Sequence, residues 1–340
     1  MDAIVVSPTG VIVTAGRDGL VMEWTELGAR VLYRAEGTSV PRLAGTREAL
    51  VGGTGLGALV WIDWRTGALI REAQLFEEAV TSLAARSDGT MVATGDDDAV
   101  VVVRADGSEL GRGSTYKWPY HASISLDQRR AIIASWDASL YEISLDEPFA
   151  GDDLLPELRV PYPGMPFYAA LEVDPSRLVI ATQGELVRGN GASLALWTRG
   201  ADAWDAYLQT PGVLALAFSP DRSVLAAGGY DGVRFLDPAS LREGEHVDVE
   251  ASYSWGGTPV EVSAAYAGDD LGRRLARLGL SGIGLEGVVA PSPHPSTAVP
   301  TEHAPYTGAT AHTVACLAWS DPARLLAGTF GGDVLSIPVG

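Results

Sequence analysis

The chain contains five histidines and one cysteine, residue types that serve as metal ligands and acid–base catalysts in many proteins. No two histidines stand at the spacing of a helical metal motif or beside a cluster of carboxylates. The histidines are His121, His246, His294, His303 and His312. Cys316 has no second cysteine for a disulfide or a zinc site, so we expect a small buried side chain there. The sequence predicts no metal site, although ligands from distant segments could still meet in the fold.

Two glycine-rich segments have the spacing of a dinucleotide-binding fingerprint, GTGLGA at 53–58 and GIGLEG at 282–287. That fingerprint holds a pyrophosphate only where a strand leads into a helix, and both segments instead border or lie within apolar β-type stretches. We interpret them as hairpin turns. The acidic run GDDDA at 95–99 lacks the spacing of a calcium loop and also predicts a hairpin tip. With no Gly-x-Ser-x-Gly elbow, we expect no catalytic residue and no cofactor.

Charge and composition narrow the classes of partner. The chain has 340 residues, of which 46% are hydrophobic and 20% charged, and its formal net charge is -19. This charge opposes binding to phosphate backbones and anionic lipids, so we expect neither a nucleic acid nor a membrane as partner. No apolar run is long enough to span a bilayer, and no targeting segment is recognisable, so we expect a cytoplasmic protein. The cations are arginines apart from Lys117, which is typical of a bacterial genome rich in GC.

The elements that would position any site are internal repeats. The opening stretch VVSPTGVIVTAGRDGLVMEW at 5–24 reads as three short strands joined by two polar turns. The same pattern recurs along the chain, at 80–104, 121–144 and 213–237, more loosely at 40–63 and 171–197, and finally at 314–339. Each copy leaves room for a fourth, outer strand. Four antiparallel strands repeated at this period predict an all-β fold, a β-propeller with four-stranded blades.

The number of blades depends on the long gap before the last copy. Residues 260–289 fit the pattern as a degenerate copy, although GRRLARLGL within them could form helical turns. We favour eight repeats in one domain, 1–340, with 290–311 as a Pro-rich surface loop. The expected repeats are 3–35, 38–75, 79–113, 118–160, 167–209, 212–252, 258–289 and 312–340. The alternative is seven blades with an insertion at about 255–311.

These repeats resemble the WD40-repeat family. DGLVMEW, with Asp18 and Trp24, resembles the strand-ending region of that family, and AHTVACLAWS carries His312 where the family has the His of its Gly-His pair. An Asp recurs in the second turn, as Asp18, Asp97, Asp137 and Asp231. In that family this Asp ties the turn to the His of the same blade, so the resemblance implies a structural role for these residues, not a catalytic one. The full His, Ser or Thr, Asp and Trp network of the family is missing from every repeat.

The sequence does not indicate how the ring of blades is closed. The last repeat reaches only its third strand, whereas WD40 proteins usually take the missing outer strand from the other terminus. An uncovered strand edge is a template for pairing. Three alternatives remain: an open edge, an edge covered by part of 290–311, and an edge completed by another chain.

One face of the predicted ring is rich in aromatic residues. The second-to-third-strand turns and the connections between repeats share that face, and aromatic and Arg side chains dominate interface hot spots. We therefore predict that partner-binding residues lie there. They are Arg17, Tyr116, Trp118, Tyr120, Trp136, Tyr162, Phe167, Tyr230, Tyr253, Trp255, Tyr306 and Phe330. The strand residues Trp24, Trp61, Trp197 and Trp319 are instead expected to pack between blades.

We expect a non-catalytic protein–protein interaction scaffold whose partner offers basic and apolar side chains. Such a propeller would be a subunit of a larger bacterial assembly; its own oligomeric state is not predicted. Because propellers host many functions, two alternatives remain. One is a propeller enzyme of the lyase or lactonase type with a site in the central channel. The other is a sensor of a small molecule or a glycan.

Overall fold

The computed structural model describes residues 2–25, 28–147, 155–161, 166–182, 192–210, 212–230, 232–247, 249–251, 262–264, 314–329 and 334–339. In these ranges every regular element is a β-strand. None of the described residues forms a helix long and apolar enough to cross a bilayer. The strands are short because polar turns rich in Gly, Asp and Ser interrupt the alternating apolar pattern every few residues.

Six sheets have four antiparallel strands each, ordered as in the chain. The first contains β1 (Ala3–Val6), β2 (Ile12–Ala15), β3 (Leu20–Thr25) and β4 (Gly28–Arg34). The second contains β5 (Arg42–Gly45), β6 (Leu50–Gly53), β7 (Ala58–Ile62) and β8 (Leu69–Gln74). The third contains β9 (Val80–Ala85), β10 (Met91–Gly95), β11 (Ala99–Val103) and β12 (Glu109–Ser114). The fourth contains β13 (Pro119–Ile124), β14 (Arg130–Ser135), β15 (Leu140–Ser144) and β16 (Glu157–Leu158).

The second half of the chain continues the series. The fifth sheet contains β17 (Phe167–Asp174), β18 (Arg177–Thr182), β19 (Ala192–Thr198) and β20 (Ala206–Gln209). The sixth contains β21 (Val213–Phe218), β22 (Leu225–Gly229), β23 (Gly232–Leu236) and β24 (Glu243–Val247). A short antiparallel pair follows, β25 (Val249–Ala251) with β26 (Val262–Ala264). The last sheet contains β27 (Val314–Asp321), β28 (Arg324–Thr329) and β29 (Val334–Pro338).

The first strands of seven sheets form a closed inner ring. Strand β1 contacts β5, and the contacts continue through β9, β13, β17 and β21 to β27, which contacts β1 again. The structure is therefore a seven-bladed propeller, and the prediction of eight blades is wrong. Direct contact between β21 and β27 leaves no place for another inner strand. The seven-bladed alternative is confirmed, while residues 265–311 and most of 258–289 lie outside the described residues.

The outer edge of the last blade is the strand edge whose covering the sequence left open. Strand β29 pairs with β28, and the described residues place no strand on its other side. The ring is nevertheless continuous at this point because β27 packs beside β1. The segment 290–311, one candidate for covering the edge, lies outside the described residues.

The core consists of apolar layers between neighbouring blades. Each of six hydrophobic clusters combines residues of two consecutive sheets. Trp61 and Trp197, with 4% and 1% of their surface exposed, lie in two of these layers, as predicted. Trp319 packs beside Phe235 of the sixth sheet, with ring centroids 6.3 Å apart. Burial of such rings makes each blade depend on its neighbours for stability.

A buried ion-pair network joins the fourth and fifth blades. The carboxylate of Glu172, with 1% of its side chain exposed, accepts hydrogen bonds from Arg130 and Arg199 at 3.2 Å each. It also accepts the N–H of Leu126 at 2.6 Å. Both arginines bind Glu142 as well. Since every charge in the network has an opposite charge beside it, the network fixes the position of one blade against the next.

The segments with unusual glycine and acidic patterns are hairpins, as predicted. Residues 53–58 join β6 to β7, and 95–99 join β10 to β11. Gly57 has φ +82°, and a Cβ atom there would lie 2.3 Å from the carbonyl oxygen of Phe76. Glycine is required at this turn by backbone proximity, not by a nucleotide. The second glycine pattern, 282–287, lies outside the described residues.

Candidate functional site: the aromatic loop face

The loop face is the end of the ring that carries the second-to-third-strand turns and the connections between blades. On it, four rings from two adjacent blades form one aromatic cluster, defined as Trp118, Tyr120, Trp136 and Tyr168. The Trp136 ring lies 5.9 Å from Trp118, 5.6 Å from Tyr120 and 6.4 Å from Tyr168, in edge-to-face arrangements. Tyr120 stacks on Tyr168 at 5.3 Å with an interplanar angle of 25°. These distances and orientations are those of attractive ring pairs.

Equivalent β-bulges place the two tyrosines. In β13 the pairing with β14 skips from Pro119 to His121, so that Tyr120 is the extra residue. In β17 the pairing with β18 skips from Phe167 to Ala169, so that Tyr168 is the extra residue. A bulge re-aims the side chain of its extra residue away from the regular alternation. The same irregularity therefore directs one tyrosine from each of two adjacent inner strands toward the cluster.

The connection 115–118 is clamped between two blades. The N–H of Trp118 donates to the carboxylate of Asp98, on the third blade, at 2.6 Å. The carbonyl of Trp118 accepts the N–H of Trp136, on the fourth blade, at 3.0 Å, and the Ser135 hydroxyl donates to the carbonyl of Lys117. Trp118 itself has φ +21°, an unusual backbone value for a residue with a side chain. These bonds hold the backbone of the connection at Lys117 and Trp118.

A buried tyrosine continues this clamp. The hydroxyl of Tyr141, a residue with no exposed surface, donates to Asp137 at 2.5 Å and accepts the N–H of Tyr116 at 3.3 Å. Burial and the adjacent Asp137 carboxylate raise the pKa of Tyr141, so its hydroxyl stays protonated. Tyr141 thereby links the turn of the fourth blade to the connection that enters it.

Three of the four turn Asp residues lie in the described part of the chain, and each binds the backbone of its own turn. The carboxylates of Asp18, Asp97 and Asp137 each accept the backbone N–H two residues further on, at 3.1, 3.4 and 2.9 Å. Asp97 also accepts the N–H of Glu77 at 2.8 Å, which ties the turn to the connection entering the third blade. Asp231 lies outside the described residues.

One element of the family network is present in the first blade. The indole N–H of Trp24 donates to the hydroxyl of Thr14 at 2.8 Å. In the fourth blade the Asp137 carboxylate binds the Tyr141 hydroxyl, where the WD40 resemblance implies a His partner for the turn Asp. His312 lies outside the described residues. The blades thus hold their turns with different hydrogen-bond partners.

Carboxylates surround the cluster on the side of the third blade. Burial, followed by repulsion from Glu78, raises the pKa of Asp96. Burial also raises the pKa of Asp98, and the neighbouring charges of Asp97 and Asp137 add to the effect. Within the described part of the chain, no Lys or Arg nitrogen forms an ion pair with any of these carboxylates. Arg42 attracts Asp96 and Lys117 attracts Asp98 without forming an ion pair, so this part of the loop face carries an excess of negative charge.

The other predicted binding residues lie on different blades and differ in how far they are exposed. Tyr116, next to the cluster, is 62% exposed, and Arg17, on the first blade, has a 76% exposed side chain that lies 3.8 Å from Asp2. Tyr230 lies on the sixth blade, and its hydroxyl is buried without a hydrogen-bond partner among the described residues. Phe167 has no exposed surface and belongs to the core, so it cannot contact a partner in the folded chain. The remaining five lie outside the described residues: Tyr162, Tyr253, Trp255, Tyr306 and Phe330.

Tyr168 is the cluster member that the sequence-based list omitted in favour of its neighbour Phe167. Both lie in an aromatic segment, and strand alternation indicates only that they point to opposite sides. The repeats do contain a signal for Tyr168, because Tyr120 and Tyr168 each stand close to the start of an inner strand. The bulges that aim both rings at one point have no signature in either segment alone.

Two residues of the inner strands, His121 and Cys316, are of types that can bind a metal ion. Burial, and to a lesser extent Arg42, lower the pKa of His121 to about 4, so that the imidazole is neutral near pH 7. Burial raises the pKa of Cys316 to about 12, which keeps the half-buried thiol protonated. Among the described residues, no three His, Cys, Asp or Glu side chains are grouped closely enough to hold a metal ion.

Comparison with known proteins agrees with this architecture. The family model "WD domain, G-beta repeat" matches residues 206–233, which run from the outer strand of the fifth blade into the third strand of the sixth. The "WD40 beta propeller domain of Doa1" superimposes with a TM-score of 0.67 at 11% identity, covering 98% of this chain and 90% of that one. A chain of the "Mitotic Checkpoint Complex" gives a TM-score of 0.64 at 13% identity, covering 100% of this chain and 89% of the other. No curated protein matches the chain.

The chain is a seven-bladed β-propeller whose fold is similar to that of the WD40 propellers. At these identities the matched structures establish the shape alone.

Proposed function

We propose that the chain is a non-catalytic interaction scaffold that docks a protein segment on its loop face, at the aromatic cluster. The observation that carries the proposal is the convergence of four rings from two blades, with the 62% exposed Tyr116 beside them. Aromatic side chains contribute large contact areas and lose few rotamers on binding.

Preorganisation supports this assignment. The bonds from Asp98, Trp136 and Tyr141 fix the connection 115–118, so that a partner need not order it on binding. Affinity per contact is higher where the binding surface is already rigid. One matched fold was solved within a complex, the Mitotic Checkpoint Complex, which is consistent with a role for this chain as a subunit of a larger assembly.

The test compares two exposed tyrosines on different surfaces. Tyr116 borders the cluster, whereas Tyr207, 52% exposed on the outer strand β20, lies away from the loop face. Tagged wild-type, Tyr116→Ala and Tyr207→Ala chains would be purified from the native host after mild crosslinking, and stoichiometric partners identified by mass spectrometry. We expect Tyr116→Ala to lose the partner and Tyr207→Ala to keep it, with both chains as thermally stable as the wild type. Retention of the partner by Tyr116→Ala, or an equal loss in both variants, would count against the loop face.

A further inference from the structure

The carboxylates beside the aromatic cluster indicate what kind of side chain would fit there. Asp98 binds the backbone of Trp118 directly, and Asp137 follows Trp136 in the same turn. Each tryptophan thus has an acidic residue next to its backbone. The backbone bond from Trp136 N–H to the Trp118 carbonyl brings the two acidic residues to the same part of the loop face, and the charge of Asp137 adds to the effect of burial in raising the pKa of Asp98.

We infer that this site takes a cationic side chain of a protein partner, with arginine as the best match, held over the rings of Trp118 and Trp136 and between Asp98 and Asp137. The inference rests on the proposed function, since it specifies the partner of the same face. A guanidinium stacks on aromatic faces, and its N–H groups bind carboxylates in the same plane. The site offers both aromatic rings and carboxylates on the loop face of the propeller.

Local charges agree with this assignment. Asp96, Asp97 and Asp98 occupy one turn and form no ion pair with a Lys or Arg among the described residues. Burial, and then neighbouring carboxylates, oppose the ionisation of Asp96 and Asp98 by raising the pKa of each. Lys117 is exposed and attracts Asp98, but it lies beyond ion-pair distance. A partner cation would therefore relieve existing repulsion as well as contact the rings. An anionic or purely apolar segment would leave that repulsion in place.

The geometry also explains why the carboxylates are suited to this role. Asp98 has φ +64°, a conformation that Asp and Asn adopt more readily than most residues. One of its oxygens accepts the Trp118 N–H, whereas no hydrogen bond from the described residues reaches the other. The residue can hold the loop and still present a charge to a ligand.

The probe is a blocked tripeptide, acetyl-Gly-Arg-Gly-amide, compared with its citrulline counterpart, which has the same shape and no charge. Binding to the full chain is followed by the indole ¹⁵N–H resonances of Trp118 and Trp136, with Trp197 as an internal reference in the core. We expect the arginine peptide to shift both cluster resonances. The citrulline peptide should bind at least about fivefold more weakly, the usual effect of a cation on an aromatic surface.

Three variants complete the experiment. Asp98→Asn keeps an acceptor oxygen for the Trp118 N–H and removes the charge, and it should weaken binding of the arginine peptide about fivefold. Asp137→Asn should weaken binding as much, but it leaves one acceptor oxygen where Ser139 N–H and the Tyr141 hydroxyl now use two, so the comparison of Asp98→Asn with the control decides. Asp106→Asn makes the same change in charge in the β11–β12 turn, on the opposite face, and should leave binding unchanged. Equal binding of both peptides, or equal weakening by all three variants, would overturn the inference. If the arginine peptide shifts neither resonance while Tyr116→Ala still loses the native partner, the cation site fails and the proposed interface stands.

Discussion

Tyr120 and Tyr168 are the extra residues of two equivalent bulges in adjacent inner strands, and their rings stack at 5.3 Å. The contact crosses the boundary between the fourth and fifth blades. It therefore joins the two blades at the aromatic cluster, where Tyr168 is buried and Tyr120 is half-buried, so both rings contribute to the stability of the blade boundary.

The stacked pair should show energetic coupling. We expect Tyr120→Leu and Tyr168→Leu each to lower the free energy of unfolding, and the double variant to lose about 1 kcal/mol less than the sum, which is typical of an aromatic pair. Urea denaturation of the four chains measures this. As a control, the losses in the free energy of unfolding caused by Tyr120→Leu and Tyr207→Leu, which lie on unconnected surfaces, should be additive. A coupling of zero for the stacked pair would mean that the two rings merely lie near each other.

Removing the Tyr141 hydroxyl should loosen the connection 115–118. In Tyr141→Phe the Tyr116 N–H and the Asp137 carboxylate lose their partner, at an expected cost of about 1–3 kcal/mol in the free energy of unfolding. Hydrogen exchange at Tyr116 should accelerate more than exchange in the central strand β14. The matched change Tyr207→Phe, at an exposed ring, should alter neither quantity. Unchanged exchange at Tyr116 would show that other bonds suffice to hold the connection.

The buried network around Glu172 should be more sensitive to neutralisation than a surface ion pair. Glu172→Gln leaves Arg130 and Arg199 with less compensating charge in the interior, and we expect a loss of about 3 kcal/mol in the free energy of unfolding. Glu109→Gln removes a surface pair with Arg112, at 2.7 Å and with both side chains over a third exposed, and should cost under about 1 kcal/mol. Chemical denaturation at low ionic strength compares the two. Similar losses would show that solvent screens the network.

His121 should make the fold sensitive to acid. Its pKa is about 4 when folded and 6.5 in the reference state, so between these values the unfolded chain binds a proton that the folded chain excludes. The free energy of unfolding should therefore fall as pH drops from 6.5 to 4, by up to about 3 kcal/mol from this residue.

The variant His121→Gln tests this pH dependence. Its stability should fall less than that of the wild type across the same pH range, as measured by urea denaturation at several pH values. The carboxylates Asp96 and Asp98, whose pKa values are raised, act in the opposite direction and remain in both chains. Parallel curves for the wild type and His121→Gln would contradict the prediction.

The repeated blades were predictable because their signals are local. Alternating apolar residues define strands, and a glycine such as Gly57 or an acid such as Asp137 defines the turn between them. Each signal spans only a few residues and is repeated along the chain. The propeller class and the hairpin interpretation of 53–58 follow from this pattern without any long-range contact.

The sequence by itself determined the all-β repeats, the turn positions and the aromatic character of one face. Only the tertiary structure decided that the ring has seven blades, because this depends on β21 meeting β27 and β27 meeting β1. It also decided that Tyr168 joins the cluster and that Phe167 lies in the core. Strand alternation has a period of two, and a bulge, set by pairing with the neighbouring strand, shifts that period by one residue.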